Sequence, residues 1–262
     1  MIKNNNNLRK EIVQTVINAG EGHIPSSLSI LDIIDYLYSK KLKFKKNFHN
    51  WDKRDYFILS KGHGCVALYV VLKKFGFIKK KDLDNYGEFK SILGGHPDST
   101  KIPGIEACTG SLGHGFPTAV GTALGLKIQN KKNRIFVLIG DGECHEGSIW
   151  ETANIANNQN LGNLCAILDW NGSAEQLMPK DKLLNKWKSF GWQTYLADGH
   201  SYKSLNKVFK KINFNLNGKP KIILAKTTKG KGISFMEGHG KWHHKIPNLI
   251  EKKKIFKELS SE

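Results

Sequence analysis

Apolar residues recur along this chain in short blocks, and their spacing alternates between that of an amphipathic helix and that of a buried strand. Near the start, apolar positions from Ile12 to Ile17 share one helical face, and Gly20 ends the pattern. In the middle, the apolar block Ile135–Ile139 ends at a glycine, as a buried strand would. The same criteria predict helices at 8–20, 28–38, 65–75, 148–158, 182–190 and 204–212, and strands at 55–60, 135–139, 164–168, 194–197 and 221–226.

This alternation predicts an α/β fold in which a parallel sheet is flanked by helices on both faces. Asn4–Asn7 is a low-complexity segment, and no linker divides the remainder of the chain. We therefore expect a disordered N-terminal tail over 1–7 and a single domain over 8–262. In such sheets ligands bind beyond the carboxyl ends of the strands. The candidate positions follow Ile139, Leu168, Ala197 and Lys226.

Charge and composition narrow the class of protein. The 262 residues include 41 Lys+Arg and 23 Asp+Glu, a formal net charge of +18, and 39% are hydrophobic, which excludes wholesale disorder. The charge suggests nucleic-acid binding, but arginine, whose planar group favours base recognition, occurs only at Arg9, Arg54 and Arg134. Lysine runs such as Lys79–Lys81 are typical of solvated helix faces. A positive field also attracts phosphorylated small molecules.

The cysteines and the N-terminus predict a compartment. The four cysteines, at 65, 108, 144 and 165, have the spacing of neither a metal knuckle nor a redox motif. The first residues lack the apolar region of a signal peptide, and no apolar stretch approaches the length of a membrane span. We therefore predict a reduced, cytoplasmic protein without a membrane partner.

Six of the ten histidines directly follow a glycine, more than composition alone explains. A glycine before a polar side chain suits a corner where the backbone approaches a ligand closely. Several such corners are expected to converge on one polar, anionic ligand; the alternative is a set of unrelated turn histidines. A zinc site at His239, His243 and His244 is a further alternative, although its spacing is not that of a zinc motif. The six are His23, His63, His96, His114, His200 and His239.

The most specific local signal links two strand ends. Gly140-Asp141-Gly142 follows one predicted strand, and Asn171 follows the next, thirty residues after Asp141. A carboxylate, a carboxamide oxygen and a backbone carbonyl would leave room for two phosphate oxygens and a water around Mg²⁺. Gly140 and Gly142 would let the backbone approach the phosphates. The interval therefore predicts a magnesium site that binds a diphosphate.

Several segments together resemble the transketolase family. The stretch from GDGECHEG (140–147) through NLCAILDWNG (163–172) is similar to the thiamine-diphosphate-binding motif in its transketolase form. The segments follow the family's order over residues 8 to 245, which makes the resemblance more specific than the Gly-Asp-Gly turn alone. The other segments are GHIPSSLSILDIIDYLY (22–38), LSKGHGCVALY (59–69), GGHPD (94–98), PGIEACTGSLGHG (103–115), DGH (198–200), KTTKGKGISFME (226–237) and KWHH (241–244).

The resemblance implies which part of a transketolase this is. All the motifs belong to the diphosphate-binding domain, and the chain resembles the separately encoded N-terminal subunit of a split transketolase. It implies thiamine diphosphate and Mg²⁺ as cofactors, and transfer of a two-carbon ketol unit from a ketose to an aldehyde. It also implies a partner subunit that carries the pyrimidine-binding domain, assembled with this chain into a heterotetramer, and sugar or sugar-phosphate substrates.

The resemblance also implies residue roles. Asp141 and Asn171 would bind magnesium through their side chains, and Ser173 through its carbonyl. Glu146 matches a glutamate at the family's subunit interface, in a network that links cofactor sites; otherwise it is an acidic residue in the first turn of a helix. The implied channel histidines are His23, His63, His96 and His243, with His239 as an alternative for a second family histidine. The implied cofactor contacts are Gly110, Ser111, Leu112, Gly140, Asp141, Gly142, Glu143, Glu146 and Asn171.

Three departures from the family pattern concern the substrate. Ile24 and Pro25 alter the loop that carries His23, His114 replaces a glutamine, and the segment after Asn171 differs. We therefore hypothesise a specialised enzyme that acts on an unusual or nucleotide-linked sugar. Two alternatives remain: the alpha subunit of a 2-oxo acid dehydrogenase, which also binds thiamine diphosphate, and a non-catalytic, basic RNA-binding protein.

Overall fold

The fold is known from a computed structural model, and residues 5–45, 51–174, 183–238 and 242–260 are described. The described residues contain a sheet of five strands: β1 (Tyr56–Leu59), β2 (Ile135–Gly140), β3 (Leu164–Trp170), β4 (Gln193–Asp198) and β5 (Lys221–Lys226). The helices are α1 (Asn6–Ala19), α2 (Ile24–Lys40), α3 (Cys65–Lys74), α4 (Lys80–Asp84), α5 (Gly115–Ile128), α6 (Gly147–Asn158), α7 (Leu183–Ser189), α8 (Tyr202–Phe209) and α9 (Leu249–Glu258).

All neighbouring strands are parallel, in the order β1-β2-β3-β5-β4. The register pairs Gly140 with Asp169, and Asp169 in turn with Ala225. Because the strands are parallel, their carboxyl ends lie along one edge, which we call the carboxyl edge. The turns after β2, β3, β4 and β5 therefore lie along this edge, as the sequence predicts, and the turn after β1 lies there as well.

Helices cover both faces of the sheet. On β2, Phe136 and Leu138 pack into one apolar core with α1, α2, α3, α8 and α9, whereas Val137 and Ile139 pack into a second core with α5, α6 and α7. All four side chains are fully buried, because a strand between two helical layers has no solvent-facing side. The predicted α/β fold is confirmed. None of the described helices is long and apolar enough to cross a membrane.

The structure differs from the sequence prediction at the N-terminus. Residues 1–4 lie outside the described residues, but Asn5 is buried and its Nδ2 donates a 2.8 Å hydrogen bond to Asp32 Oδ1. Helix α1 begins at Asn6 and not at Leu8. The expected disordered tail over 1–7 is therefore wrong for its last three residues, because a buried carboxylate fixes the asparagine that precedes the helix.

Three helices have no counterpart in the sequence prediction: α4, α5 and α9. The most consequential is α5, which contains Pro117 and three glycines at 115, 121 and 125. These residue types are typical of turns, so they conceal the helix in the sequence. Pro117 lies in the first turn, where its missing N–H is not needed, and Phe116 and Val120 supply the buried face.

Candidate active site at the carboxyl edge of the sheet

The two strand ends predicted to bear the site are direct neighbours. Strand β3 continues two residues beyond its predicted end, so that Asp169 belongs to the strand. The Asp141 N–H donates to the Asp169 carbonyl at 3.3 Å, which holds the turn after β2 against the end of β3. The structure therefore brings the Gly140–Gly142 turn and the Asn171 turn together.

Asp141 is a buried carboxylate with an unused acceptor. Its Oδ1 accepts a 2.7 Å hydrogen bond from the Gly142 N–H, whereas no partner for Oδ2 is found among the described residues. Burial raises the pKa of Asp141, the Asp169 carboxylate adds to the rise, and Lys61 and the N–H of Gly172 oppose it. A buried oxygen left without a donor is costly unless a cation or proton satisfies it. Asp141 therefore has the properties of a metal ligand.

Asp169, to which the sequence analysis assigned no role, lies beside Asp141. We call it the hub, because its carboxylate is the shared acceptor for several neighbouring side chains. Its Oδ2 forms a 2.5 Å ion pair with Lys61 Nζ, and both side chains are almost fully buried. Its Oδ1 accepts hydrogen bonds from Ser29 Oγ at 2.7 Å and from Thr227 Oγ1. Lys61 and these donors keep the pKa of Asp169 below its usual range although burial acts in the opposite direction.

The Asn171 amide is fixed by this hub. Its Nδ2 donates to Asp169 Oδ2 at 2.8 Å and to Ser29 Oγ at 3.1 Å. With both donors directed at the sheet, Oδ1 faces the turn, where it accepts from the N–H of Ser173 at 2.9 Å. Gly172 has a φ of +78°, which a residue with a Cβ adopts only with strain, and this lets the chain reverse after Asn171.

Glu143 joins two of the predicted cofactor-binding segments. Its Oε1 accepts from the Gly113 N–H at 3.0 Å and from Ser60 Oγ, and its Oε2 accepts from the Gly140 N–H at 3.2 Å. Burial raises the pKa of Glu143. The side chain therefore holds the loop at 110–113 against the turn after β2. Because its side chain makes these hydrogen bonds, Glu143 would contact the cofactor only through its backbone.

The loop at 110–113 approaches other residues closely. Gly110 has a φ of +154°, and a Cβ there would lie 2.7 Å from Cδ2 of His96. Leu112 is half-buried and Ser111 is exposed beside it. Glu146 is exposed at the start of α6, so its side chain is free to meet another surface. The predicted interface role of Glu146 stays a prediction.

Three of the four predicted catalytic histidines form one cluster with His244. The ring centre of His23 lies 5.3 Å from that of His63, 5.1 Å from that of His243 and 4.6 Å from that of His244. His96 packs on Gly110 and lies within electrostatic reach of His23. His23 caps α2 and His63 lies in the short turn after β1, so two separate corners of the chain bring them together.

Three of the clustered imidazoles, those of His23, His63 and His243, are neutral near pH 7. Burial is the largest cause that lowers the pKa of His23 to about 4 and that of His63 to about 2, and neighbouring Lys61 lowers the latter further. Burial and the Lys229 ammonium also lower the pKa of His243. Neutral imidazoles both donate and accept hydrogen bonds, so the cluster can hold sugar hydroxyls and relay a proton.

Lys229 is a second residue that sequence reasoning missed. Its Nζ lies 2.9 Å from His243 Nδ1, and it is close enough to Asp141 and Asp169 for each to favour its charged form, while burial and Lys61 lower its pKa. Lys229 therefore lies between the histidine cluster and the acidic strand ends. The KTTKGKG segment following β5 was a signal for it, since a lysine directly past a strand end is placed to meet phosphate.

His200 supports the segment that carries Lys229. The N–H of Thr228 donates to His200 Nε2 at 2.9 Å, so Nδ1 holds the proton that faces Asp32 Oδ2 at 2.8 Å. This glycine-preceded histidine thus has a supporting role, and His114 is exposed beside Leu112. His239 lies outside the described residues. No group of three or more His, Cys, Asp or Glu suited to a metal occurs in the described part of the chain, so nothing in it supports the alternative zinc site.

The donor set at the carboxyl edge fits a magnesium diphosphate. Asp141 offers an unsatisfied carboxylate oxygen, and Asn171 offers an oriented carboxamide oxygen. Both are hard oxygen ligands of the kind Mg²⁺ prefers. The nearby ammonium group of Lys229 supplies positive charge for phosphate oxygens.

Comparison with known sequences also indicates a domain that binds a diphosphate. The family model described as "Transketolase, thiamine diphosphate binding domain" matches residues 3–251. An apulose-4-phosphate transketolase subunit from Phocaeicola vulgatus is 40% identical over 257 residues, which cover 96% of this chain and 91% of that protein. The 6-deoxy-6-sulfo-D-fructose transketolase subunit SqwG of a Clostridium species is 38% identical over 238 residues, covering 89% and 86%.

Solved structures show the same fold within longer chains. Transketolase from Leishmania mexicana superposes with a TM-score of 0.90 at 26% identity, covering 98% of this chain and 41% of that one. Transketolase from Campylobacter jejuni gives a TM-score of 0.89 at 29% identity, covering 98% and 42%. This chain thus spans about two fifths of these transketolases but nine tenths of the subunit from P. vulgatus. The chain belongs to the transketolase family and contains its thiamine diphosphate binding domain.

Proposed function

We propose that this chain is the diphosphate-binding subunit of a split transketolase, which transfers a two-carbon ketol unit from a ketose to an aldehyde. The observation that carries the proposal is the unsatisfied buried oxygen of Asp141, at the same edge of the sheet as the oriented amide of Asn171 and the cluster of histidines. The names of the subunit relatives support it, because each is called one subunit of a transketolase.

Asp141, Asn171 and the Ser173 carbonyl would hold Mg²⁺, and Lys229 would neutralise phosphate oxygens. The Gly110–Leu112 backbone, Gly140 and Gly142 would line the diphosphate. Thiamine diphosphate, when bound, supplies the nucleophilic carbon that carries the two-carbon unit. The buried Lys61–Asp169 pair would keep Asn171 oriented during turnover, since Asp169 accepts from both Lys61 and the Asn171 amide.

The histidine cluster would act on the sugar. His23 and His63, neutral at pH 7, can each accept a hydrogen bond from a sugar hydroxyl at one ring nitrogen and donate one from the other. His243, beside the Lys229 ammonium, is suited to accept a hydrogen bond at Nδ1. His96 completes the polar wall. Together they would orient the ketose and move protons as its carbon–carbon bond breaks and reforms.

A partner subunit that carries the pyrimidine-binding domain is part of the proposal, with a heterotetramer as the expected assembly. The exposed Glu146 at the start of α6 is the candidate interface residue on this chain. The four cysteines are all free thiols, which supports the prediction of a reducing, cytoplasmic location.

The proposed donor is a ketose that bears a terminal anionic group and differs from the common pentose phosphates. One relative is named for apulose 4-phosphate and another for a sulfonated sugar. The cationic surroundings of the site, with Lys61 and Lys229 beside the histidines, suit such anions. The departures at Ile24 and Pro25 lie in the first turn of α2, directly after His23, and His114 directly precedes α5.

A donor panel tests the function and its specialisation together. The chain mixed with the pyrimidine-binding subunit encoded in the same genome is supplied with thiamine diphosphate, Mg²⁺ and an aldehyde acceptor. Apulose 4-phosphate, 6-deoxy-6-sulfo-fructose and xylulose 5-phosphate are compared by kcat/KM. We expect transfer, with an unusual sugar preferred. Highest kcat/KM on xylulose 5-phosphate would contradict the specialisation, and absence of transfer from every donor would contradict the proposed activity.

A further inference from the structure

A cavity lies at the amino ends of the strands, at the opposite edge of the sheet from the histidine cluster. It has a volume of about 370 Å³ and is lined by Lys132, Arg134, Asn163, Phe214, Asn215 and Leu216. These residues come from the turns before β2, β3 and β5, at the amino ends of the strands. Because β2 and β3 contain six and seven residues, the cavity lies roughly 20 Å from the Asp141 site. It is therefore separate from the cofactor site.

The cavity has more positive than negative charge around it. Arg134 pairs with Asp55 through Nε and Nη2, and no hydrogen bond is found for its Nη1 among the described residues. The Lys132 ammonium has no hydrogen-bond or ion-pair partner in the same set. Lys41 and Arg134 lie close enough that their repulsion, after burial, lowers the pKa of Lys41. An anion in the cavity would relieve this repulsion.

A buried lysine adds to the excess of positive charge near the cavity. Lys221, at the start of β5, is 1% exposed, and its Nζ donates a 2.6 Å hydrogen bond to the Gly162 carbonyl. Its other contact is the ring of Phe214, whose centre lies 5.5 Å from Nζ. No carboxylate pairs with Lys221 in the described part of the chain. A buried cation without a counter-charge is costly, so an anion nearby would stabilise it.

The cavity also has an apolar wall, and an unsatisfied acceptor is buried beside it. Phe214 packs its edge on Phe136 at 5.5 Å between ring centres, and Leu216 lies beside it. Asn163 is 2% exposed; its Nδ2 donates to the Ala123 carbonyl at 2.9 Å, and its Oδ1 is buried without a partner among the described residues. Cations and an apolar aromatic wall together match a ligand with a phosphate and a planar group.

We propose that this cavity binds a nucleoside monophosphate. Lys132 and Arg134 would contact the phosphate, and Phe214 and Leu216 would pack against the base. The volume exceeds that of a bare anion and falls within the range of small-ligand pockets, about 300 to 1,000 Å³. A site of this kind would be a binding site additional to the proposed catalysis.

Calorimetric titration of the full chain with AMP tests the proposal, with adenosine and inorganic phosphate titrated in parallel. We expect AMP to bind more tightly than either, because each supplies only half of the recognised chemistry. Lys132→Glu, a surface change that leaves the fold intact, should weaken AMP binding at least about tenfold. Lys131→Glu alters the neighbouring exposed lysine, outside the cavity, and should leave the affinity within about threefold of wild type.

A second pair of variants separates this site from the cofactor site. Phe214→Leu should weaken AMP binding while leaving phosphate binding unchanged, and Lys229→Ala at the cofactor edge should leave AMP binding unchanged. The proposal would be overturned by AMP binding that Lys132→Glu does not weaken, by loss of AMP binding in Lys229→Ala, or by phosphate binding as tight as that of AMP. No detectable AMP binding would overturn it as well.

Discussion

At the scale of single residues, the site is built from groups whose environments cost stability. Asp141 is buried with one carboxylate oxygen unsatisfied, and its pKa is raised by burial. A group whose pKa is higher in the folded than in the unfolded state favours the fold when protonated and opposes it when charged. At pH 7 the charged Asp141 therefore destabilises the ligand-free protein. Residues that bind a ligand commonly lower the stability of the unliganded fold in this way.

Asp141→Asn should raise the apparent Tm of the ligand-free chain and abolish binding of thiamine diphosphate with Mg²⁺. The substitution removes the buried charge and the anionic metal ligand in one step. Thermal melts and calorimetric titration measure the two effects. Asp84→Asn, at an exposed carboxylate in α4, serves as the control and should change neither. Unchanged cofactor affinity in Asp141→Asn would remove this residue from the proposed site.

The histidine cluster predicts a dependence of stability on pH. The pKa of His63 is lowered to about 2 by burial, whereas an unfolded histidine titrates near 6.5. Between these values the unfolded chain binds a proton that the folded chain does not, so the free energy of unfolding falls as the pH drops below about 6.5. Above that pH both states are neutral at this position, and His63 contributes no slope.

His63→Gln should flatten the fall in stability between pH 6.5 and pH 4, because glutamine does not titrate. Urea unfolding at several pH values measures the slopes. His145→Gln changes an exposed histidine on the same edge and should leave the wild-type slope intact. Identical slopes for His63→Gln and the wild type would show that this imidazole is not held neutral by the fold.

At the scale of elements, the sequence alone predicts the sheet and most of the site. All five strands lie where the apolar blocks predict them. Four of them are largely buried on both faces and are therefore almost continuously apolar, whereas β4 is a partly exposed edge strand. The turn after β2 and the Asn171 turn are adjacent, as expected for the ends of neighbouring parallel strands. The glycine-preceded histidines at 23 and 63 gather at the same edge because one precedes α2 and the other follows β1, and His96 reaches His23 from the long segment between α4 and α5.

Other elements could not be predicted from local pattern. Helix α5 consists partly of glycine and proline, and it forms because tertiary packing against β2 and α6 outweighs propensity. Asp169 directly follows the predicted strand 164–168, but its role becomes visible only when Lys61 and Thr227 arrive from distant turns. Lys229 likewise depends on the position of His243, fourteen residues later. Such contacts are long-range and leave little trace in local spacing.

Glu143 connects these elements, and its loss should be costly. Glu143→Ala would leave the N–H groups of Gly113 and Gly140 without their acceptor in a buried setting. We expect the free energy of unfolding in urea to fall by about 2 to 3 kcal/mol. Glu151→Ala, on the exposed side of α6, should stay within about 0.5 kcal/mol of wild type. A similar small change in Glu143→Ala would mean that the loop at 110–113 is held by other contacts.

At the scale of the whole molecule, this chain contains the diphosphate-binding domain, and the proposed enzyme also needs the pyrimidine-binding domain of a partner subunit. The family match spans residues 3–251, and the structural match covers nearly the whole chain but only about two fifths of full transketolases. The net charge of +18 is partly accounted for by the cationic surroundings of the two sites, through Lys61 and Lys229 at one edge and Lys132, Arg134 and Lys221 at the other. Both are expected to attract phosphorylated ligands.

Ketol transfer by this chain, measured with and without its partner subunit, tests whether the enzyme is divided between two chains. Thiamine diphosphate and Mg²⁺ are supplied in every reaction, and product is quantified by mass spectrometry. We predict no turnover by the chain alone, turnover after addition of the pyrimidine-binding subunit, and none when Asp141→Asn replaces the wild type. Turnover by the chain alone would contradict the need for a partner subunit. Undiminished turnover with Asp141→Asn in the mixture would contradict the role of Asp141 in cofactor binding.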